Sequence, residues 1–244
     1  MTDFGYREVS PEEKTRLVGR VFDSVADRYD LMNDLMSAGI HRLWKRRFVA
    51  GAEFRPGQRL LDLAGGTGDI AALAHPQLQP GGRVLIADIN RSMLQVGRRR
   101  MDNAGRVGGL DWLQVDAAAI PLTAGSVDHV TIAFGLRNVT DRKTALAEMF
   151  RVLKPGGRVH VLEFSRVSAP GLARAYDAWS FQVLPRLGRI VAGDAESYRY
   201  LAESIRRFPD QETLAGMLRE AGFERVGFSN LSGGICAIHR GAKV

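Results

Sequence analysis

The chain has 244 residues, 45% of them hydrophobic and 25% charged, with a formal net charge of +7 and a single cysteine, Cys236. This fits one ordinary globular α/β domain with additions, or at most two small domains, and one cysteine excludes an intramolecular disulfide or a multi-cysteine zinc site. No apolar run approaches the roughly 20 residues of a membrane span, and the N-terminal MTDFGYREVSPEEK has no apolar signal core, so the chain reads as cytosolic.

The positive balance raises a polyanion as partner, either nucleic acid or an anionic membrane surface. Arginines cluster at 42–47, 98–100 and 206–207, and the middle cluster reads as a solvated helical face. No zinc knuckle, RNP-like aromatic strand or uninterrupted basic tail is visible, so nucleic acid is not expected.

Residues 1–16 are polar and are expected to stay loosely ordered until something packs on them. From Leu17 to Phe48 the pattern is mostly helical, with Val21, Phe22, Val25 and Tyr29, then Ile40, Leu43, Trp44 and Phe48, at helical spacing. Between them lies YDLMNDLMSAGIH, where Ser37 and Gly39 mark a break and Met32 and Met36 suit an adaptable apolar wall. A helical pair packed on a core accounts for most of these residues. It accounts less well for Tyr29, Asp30, Asn33 and His41.

After a turn at Arg55-Pro-Gly-Gln58, the stretch QRLLDLAGGTGD carries an apolar run, Leu60, Leu61 and Leu63, into Gly65, Gly66 and Gly68. This predicts a buried parallel strand, a tight loop and a helix opening near Asp69. Gly66-x-Gly68-x-x-Ala71 also fits the dinucleotide fingerprint, which makes NAD a competitor. Asp62 and Asp69 weigh against it, because a pyrophosphate favours a helix N-terminus with no anion beside it. The pattern D-x-A-x-G-x-G resembles the first motif of class I methyltransferases that use S-adenosylmethionine (SAM), a donor with an α-ammonium and a sulfonium.

The second strand, residues 83–87, ends in Asp88, about 20 residues past the glycines, where an acid can accept both ribose hydroxyls of SAM or of NAD. The plainer alternative makes Asp62 a turn-capping acid and Asp88 the cap of a helix near Asn90. A helix over 92–104 and a strand over 110–115 follow, ending at Asp116-Ala117, where an adenine edge could hydrogen-bond. A strand over 127–134 ends in FGLRNVTD, Thr140 is placed to cap a helix to about Leu153, and Pro155-Gly-Gly stops it before a fifth strand over 158–164. Strands alternating with helices predict a doubly wound, mostly parallel Rossmann-like sheet with ligands at the strand C-termini. Residues 168–208 break the alternation and read as inserted helices. A helix from Asp210 to Ala221 and a hairpin-like pair, 223–228 and 235–239, complete a seven-stranded sheet.

Tyr29-Asp30-x-Met32-Asn33-x-x-Met36-Ser37-x-x-x-His41-x-x-Trp44 and Arg151-Val-Leu-Lys-Pro-Gly-Gly-Arg-Val-His-Val-Leu-Glu163-Phe-Ser165 resemble the two signatures of the ubiquinone/menaquinone biosynthesis C-methyltransferases. LDLAGGTGD, ADIN, FGLRNVTD and SYRYLAESIRRFPDQETL resemble that family in order and spacing, and the resemblance spans residues 17–241. It implies SAM as methyl donor and, as acceptor, a polyprenylated benzoquinol (2-polyprenyl-6-methoxy-1,4-benzoquinol) or demethylmenaquinol, methylated at a ring carbon.

On this reading Asp62, Gly65, Gly66, Thr67, Gly68, Asp88, Asp116, Ala117 and Ala133 form the cofactor site. Ala133 departs from the serine expected there. Arg137 stabilises a phenolate, Asn138 orients its oxygen, and Tyr29 or His41 relays the proton. The expected layout is an N-terminal helical cap over 1–50 and a methyltransferase domain over 51–244 with its insertion at 168–208. The cap and the insertion supply an apolar groove for the isoprenoid tail. A membrane-dissolved substrate suits a cytoplasmic protein touching the inner face of the membrane, and the resemblance allows a homodimer or a quinone-biosynthesis complex. Competing functions are an NAD-dependent dehydrogenase, an RNA methyltransferase favoured only by charge, and a non-enzymatic quinone-binding assembly subunit.

Overall fold

The computed structural model describes residues 1–25, 34, 37, 39–106, 108–168, 171, 174, 176, 178–183 and 195–244. Tyr29, Asp30, Met32, Asn33 and Met36 of the first signature lie outside the described residues, as do Leu184, Leu187 and Ile190 of the insertion.

The main sheet comprises β3 (Arg59–Leu63), β4 (Arg83–Asp88), β5 (Leu110–Gln114), β6 (Val127–Ala133), β7 (Leu153–Phe164), β8 (Glu224–Leu231) and β9 (Cys236–Ala242). Its order is β5-β4-β3-β6-β7-β9-β8. The first five run parallel, while β9 pairs antiparallel with both β7 and β8. The strand order reverses between β3 and β6, and open parallel sheets bind ligands at such a switch point.

Both sheet faces are covered, so the strands read as continuous apolar runs, yet the period of two still sorts the side chains. Leu60, Val84, Ile86 and Leu162 face one core cluster, while Leu61, Leu63, Val130, Ile132, Val159 and Val161 face the other. Asp62 and Thr131 therefore share the first face, under α2 (His41–Ala50) and α3 (Asp69–Leu78). α2 buries Trp44, Phe48 and Val49 in that cluster, so part of the expected N-terminal cap builds the sheet's own core.

The remaining helices are α1 (Pro11–Val25), α4 (Arg91–Asn103), α5 (Arg142–Val152), α6 (Ala195–Arg207) and α7 (Gln211–Glu220). Side-chain carboxamide and carboxylate oxygens cap three of them: Asn90 accepts from Met93 N, Asp141 from Thr144 N and Asp210 from Thr213 N. The cap of α5 is thus Asp141 rather than Thr140, because a carboxylate takes both the amide and the hydroxyl of Thr144.

Two further expectations give way to long-range contacts. Residues 1–16 are ordered as the hairpin of β1 (Thr2–Phe4) and β2 (Arg7–Val9) and the start of α1, with Phe4 stacked on Tyr200 at 4.1 Å. Strand β7 begins at Leu153 and passes through Pro155-Gly156-Gly157, because Gly156 N donates to Lys243 O and Lys243 N to Gly157 O.

Candidate active site

A cavity opens at the C-terminal ends of β3, β4, β5 and β6. Leu63, Ala64 and Gly66 come from the first strand and its loop, Ala87 and Asp88 from the second, and Asp116 and Ala117 follow the third. Phe134, Gly135, Asn138, Val139 and Thr140 close the far wall, and Thr15, Val18, Gly19 and Phe22 of α1 lie across the opening. Helix α1 is held there at both ends of the cavity: Asn90 Nδ2 donates to Asp23 Oδ1 at 2.9 Å, and buried Lys14 donates to Val139 O at 3.4 Å. The residues of α1 that make this cover are not among the expected site residues, because their contacts lie more than 60 residues away along the chain.

The acids fall into three environments. Asp88 lies on the cavity wall; its Oδ2 accepts from Gly66 N at 2.9 Å and its Oδ1 from Asn90 N at 2.8 Å. Burial raises its pKa to about 6, against the lowering effect of those amides. Asp88 therefore fastens the glycine loop to the end of β4 and still offers lone pairs to the cavity. Asp116 is exposed at the rim and accepts from Ala118 N at 2.9 Å.

Asp62 is 1% exposed and sits behind the loop rather than on the cavity wall. Its Oδ1 accepts from Thr131 Oγ1 at 2.7 Å, while Oδ2 has no partner among the described residues and lies beside Gly65. Burial lifts its pKa to about 7, opposed by the Thr131 hydrogen bond and assisted by the charges of Asp88 and Asp69. Asp69 opens α3 directly after Gly68, whose φ of +82° only glycine adopts at little cost. It is neutralised by Lys45 Nζ at 2.7 Å and Arg100 Nη1 at 3.3 Å. A buried oxygen lacking a partner, beside a loop whose other acid is already paired, fits a cationic ligand and not a pyrophosphate. Gly65, Thr67, Gly68 and Ala133 shape the surrounding backbone but do not line the cavity.

The expected catalytic residues separate. Asn138 lines the cavity, and its Oδ1 accepts from Tyr200 Oη at 3.0 Å. Burial pushes the Tyr200 hydroxyl well up, which keeps it a donor. Arg137 is not on the wall. It is 2% exposed, with Nη1 donating to Glu163 Oε1 at 2.9 Å and to the Phe134 carbonyl. Its own N–H donates to Glu163 Oε2 at 3.2 Å. Its ion-pair partner is therefore Glu163. His41 is also buried, with Nδ1 2.9 Å from Ser37 Oγ, and burial and Lys45 hold its pKa below the ordinary histidine value. Tyr29 lies outside the described residues. Glu163 and Tyr200 were missed as site residues although both fall inside quoted motifs; nothing in sequence spacing shows which way they face.

Fold and cavity are those of a class I SAM-dependent methyltransferase. A SAM-dependent methyltransferase from Aquifex aeolicus aligns with a TM-score of 0.61 at 16% identity, covering 97% of this chain and all of that one. The [4+2]-cyclase SpnF aligns with a TM-score of 0.69 at 16% identity over 94% and 96% of the two chains. Those identities establish architecture alone, and one architecture hosts unlike chemistries. Residues 8–243 match the model of the ubiE/COQ5 methyltransferase family, and this chain belongs to that family. It is 58% identical over 243 residues to the ubiquinone/menaquinone biosynthesis C-methyltransferase UbiE of Xanthomonas axonopodis pv. citri (strain 306), covering 100% of this chain and 96% of the relative. It is equally 58% identical over 242 residues to the UbiE of Edwardsiella ictaluri (strain 93-146).

Proposed function

We propose that this protein is the C-methyltransferase of ubiquinone and menaquinone biosynthesis, moving the methyl group of SAM to a ring carbon of a polyprenylated benzoquinol or of demethylmenaquinol. The observation that carries the reading is full-length family membership joined to a cavity whose wall carries Asp88, with the unpartnered Asp62 Oδ2 behind its glycine loop. Asp88 would hold the ribose hydroxyls, Asp116 and Ala117 the adenine edge, and the Asp62 side of the glycine loop the positive methionine end. The bound donor supplies an electrophilic methyl group. In the transfer a carbon–carbon bond forms at the ring, the carbon–sulfur bond breaks, S-adenosylhomocysteine leaves, and the ring carbon loses its proton.

The chain's share is alignment, exclusion of water and control of one oxygen. A quinol carbon becomes nucleophilic as its neighbouring hydroxyl loses a proton. With Oδ1 taken by Tyr200, Asn138 can offer that oxygen its Nδ2–H donor. Arg137 acts through this turn: pinned by Glu163, it sets the Phe134–Asn138 backbone instead of meeting the substrate. His41, held toward its neutral form, and Tyr29 are the candidates for passing the proton on. Cover by α1 keeps water from the donor, and the segment 168–208 is the proposed wall for the isoprenoid tail.

No helix among the described residues is long and apolar enough to cross a membrane. Reaching a lipid-dissolved quinol then requires contact with the membrane surface from the cytoplasmic side, by the protein alone, as a homodimer or within a biosynthetic complex. The test is incubation with SAM and a short-tailed quinol under reducing conditions, followed by mass spectrometry. Gain of one methyl on the ring, lost in Asn138→Ala with SAM affinity retained, is the expected result. Absence of any methylated quinol from the wild type would overturn the reading.

A further inference from the structure

We infer that the outer face of α2 is a docking surface for an anionic lipid bilayer. The inference rests on the proposed function for the location of the substrate, and on the structure for the surface. The sequence of α2, HRLWKRRFVA, contains five basic or imidazole side chains and no acid. Its buried side carries His41, Trp44, Lys45, Phe48 and Val49. At about 100° per residue the opposite side places Leu43 near its centre, with Arg46 and Arg47 one turn on and Ile40 one turn back.

Leu43 is 65% exposed and Ile40 is 43% exposed, among the largest apolar exposures in the described chain. Arg46 and Arg47 are exposed as well, and no carboxylate among the described residues pairs with either. Arg42, in contrast, is bound to Asp34 at 2.7 Å.

An exposed leucine between unpaired arginines is suited to a bilayer surface. The aliphatic group enters the headgroup boundary while each guanidinium meets a lipid phosphate. A nucleic acid backbone would use the arginines and leave Leu43 and Ile40 without a partner. The location is apt too. Trp44, on the buried side of the same helix, packs against Phe134 with ring centroids 6.4 Å apart, and Phe134 lines the cavity. A bilayer seated on α2 would therefore lie one helix away from the substrate wall.

The test is flotation of the full chain with vesicles of phosphatidylcholine alone or mixed equally with phosphatidylglycerol. Binding is expected to the mixed vesicles, to be weak on phosphatidylcholine alone, and to fall with added salt. The Arg46→Gln/Arg47→Gln double variant should bind mixed vesicles about 30-fold more weakly, and Leu43→Ala roughly tenfold more weakly. Arg46→Lys/Arg47→Lys should bind nearly as the wild type. All three should melt as the wild type and methylate a short-tailed quinol in detergent at its rate.

Equal binding to both vesicle types, or wild-type binding by Arg46→Gln/Arg47→Gln and Leu43→Ala, would overturn the inference. So would a dimer dissolved by Leu43→Ala with no vesicle binding, which would assign the face to a second copy. Methylation of soluble quinol without vesicle binding sinks the docking surface and leaves the function standing. Vesicle binding lost in the double variant, with no quinol methylated, supports the docking surface and sinks the function.

Discussion

The Arg137 guanidinium and the Glu163 carboxylate form an ion pair 2.9 Å apart in which each side chain is 1% exposed. Glu163 lies near the end of β7 and Arg137 in the turn after β6, so the pair ties the ends of two adjacent parallel strands together. Removing one partner of such a pair strands a buried charge, at a cost of about 3–5 kcal/mol, whereas replacing both by apolar groups is often nearly neutral. Glu163→Gln should therefore lower thermal stability by that order. The double variant Arg137→Met/Glu163→Leu should recover most of it. Single-turnover methylation then separates two roles for Arg137. Partial recovery of the rate in the double variant is expected if the arginine positions Asn138; a rate as low as in Arg137→Ala would mean that its charge acts on the substrate.

Asp88 joins the glycine loop to the end of β4 while facing the cavity, so its replacement should be felt mainly in donor binding. Asp88→Asn keeps the shape but sets an amide N–H2 against the N–H of Gly66 or Asn90. We expect SAM affinity to fall by about 1–3 kcal/mol. Asp116→Ala should lose less, because Asp116 is exposed. Titration calorimetry with S-adenosylhomocysteine measures both, and a dissociation constant unchanged in Asp88→Asn would remove this residue from the ribose site.

What could be read in the sequence were features with local causes. The run Leu60 to Leu63 ending in Gly65-Gly66 carries its own strand and loop, and Asp88 follows at the spacing a ribose acid needs. What could not be read depends on groups distant in sequence. Pro155-Gly-Gly looks like a stop, because its pairing partner, Lys243, lies at the other end of the chain. Arg137 looks available at a strand end until Glu163, 26 residues on, is brought beside it. Asp69 looks free for a cationic ligand until α2 delivers Lys45. The order of residues 1–9 depends on Tyr200 lying under Phe4.

Close approach of two loops forms the cavity floor. A Cβ on Gly135 would stand 2.3 Å from the Cβ of Ala64, and Ala64 itself has a φ of +49°. Gly135→Ala should force the β3 and β6 ends apart, costing about 1–3 kcal/mol of stability and part of the SAM affinity. Adding Ala64→Gly removes the opposing methyl group and eases the left-handed backbone at the same site. The double variant is expected to melt close to the wild type and to bind SAM nearly as well. If Gly135→Ala alone melts and binds as the wild type, the two loops are not in the contact described.

The raised carboxyl of Asp62 makes both stability and SAM affinity depend on pH. Its carboxyl titrates at about 7 in the folded chain, against 3.8 for the ordinary side chain. Between those values the native state holds a proton that the unfolded state has released. The stabilisation linked to that proton is therefore complete below about pH 4 and is lost as pH rises through about 7. Asp88, raised to about 6, acts in the same direction over a narrower window. The ligand-free protein should thus lose up to roughly 4 kcal/mol relative to Asp62→Asn as pH rises from about 4 to about 7. An ammonium beside the loop would favour the ionised carboxylate and draw its pKa down. Saturating SAM should then flatten the slope, and SAM affinity should rise with pH through about 7 in the wild type but not in Asp62→Asn. Thermal melts and calorimetry across this range provide both readouts. Parallel melting curves for the two proteins would remove the raised carboxyl. A shared slope unaffected by SAM would keep the buried acid and detach it from the cofactor.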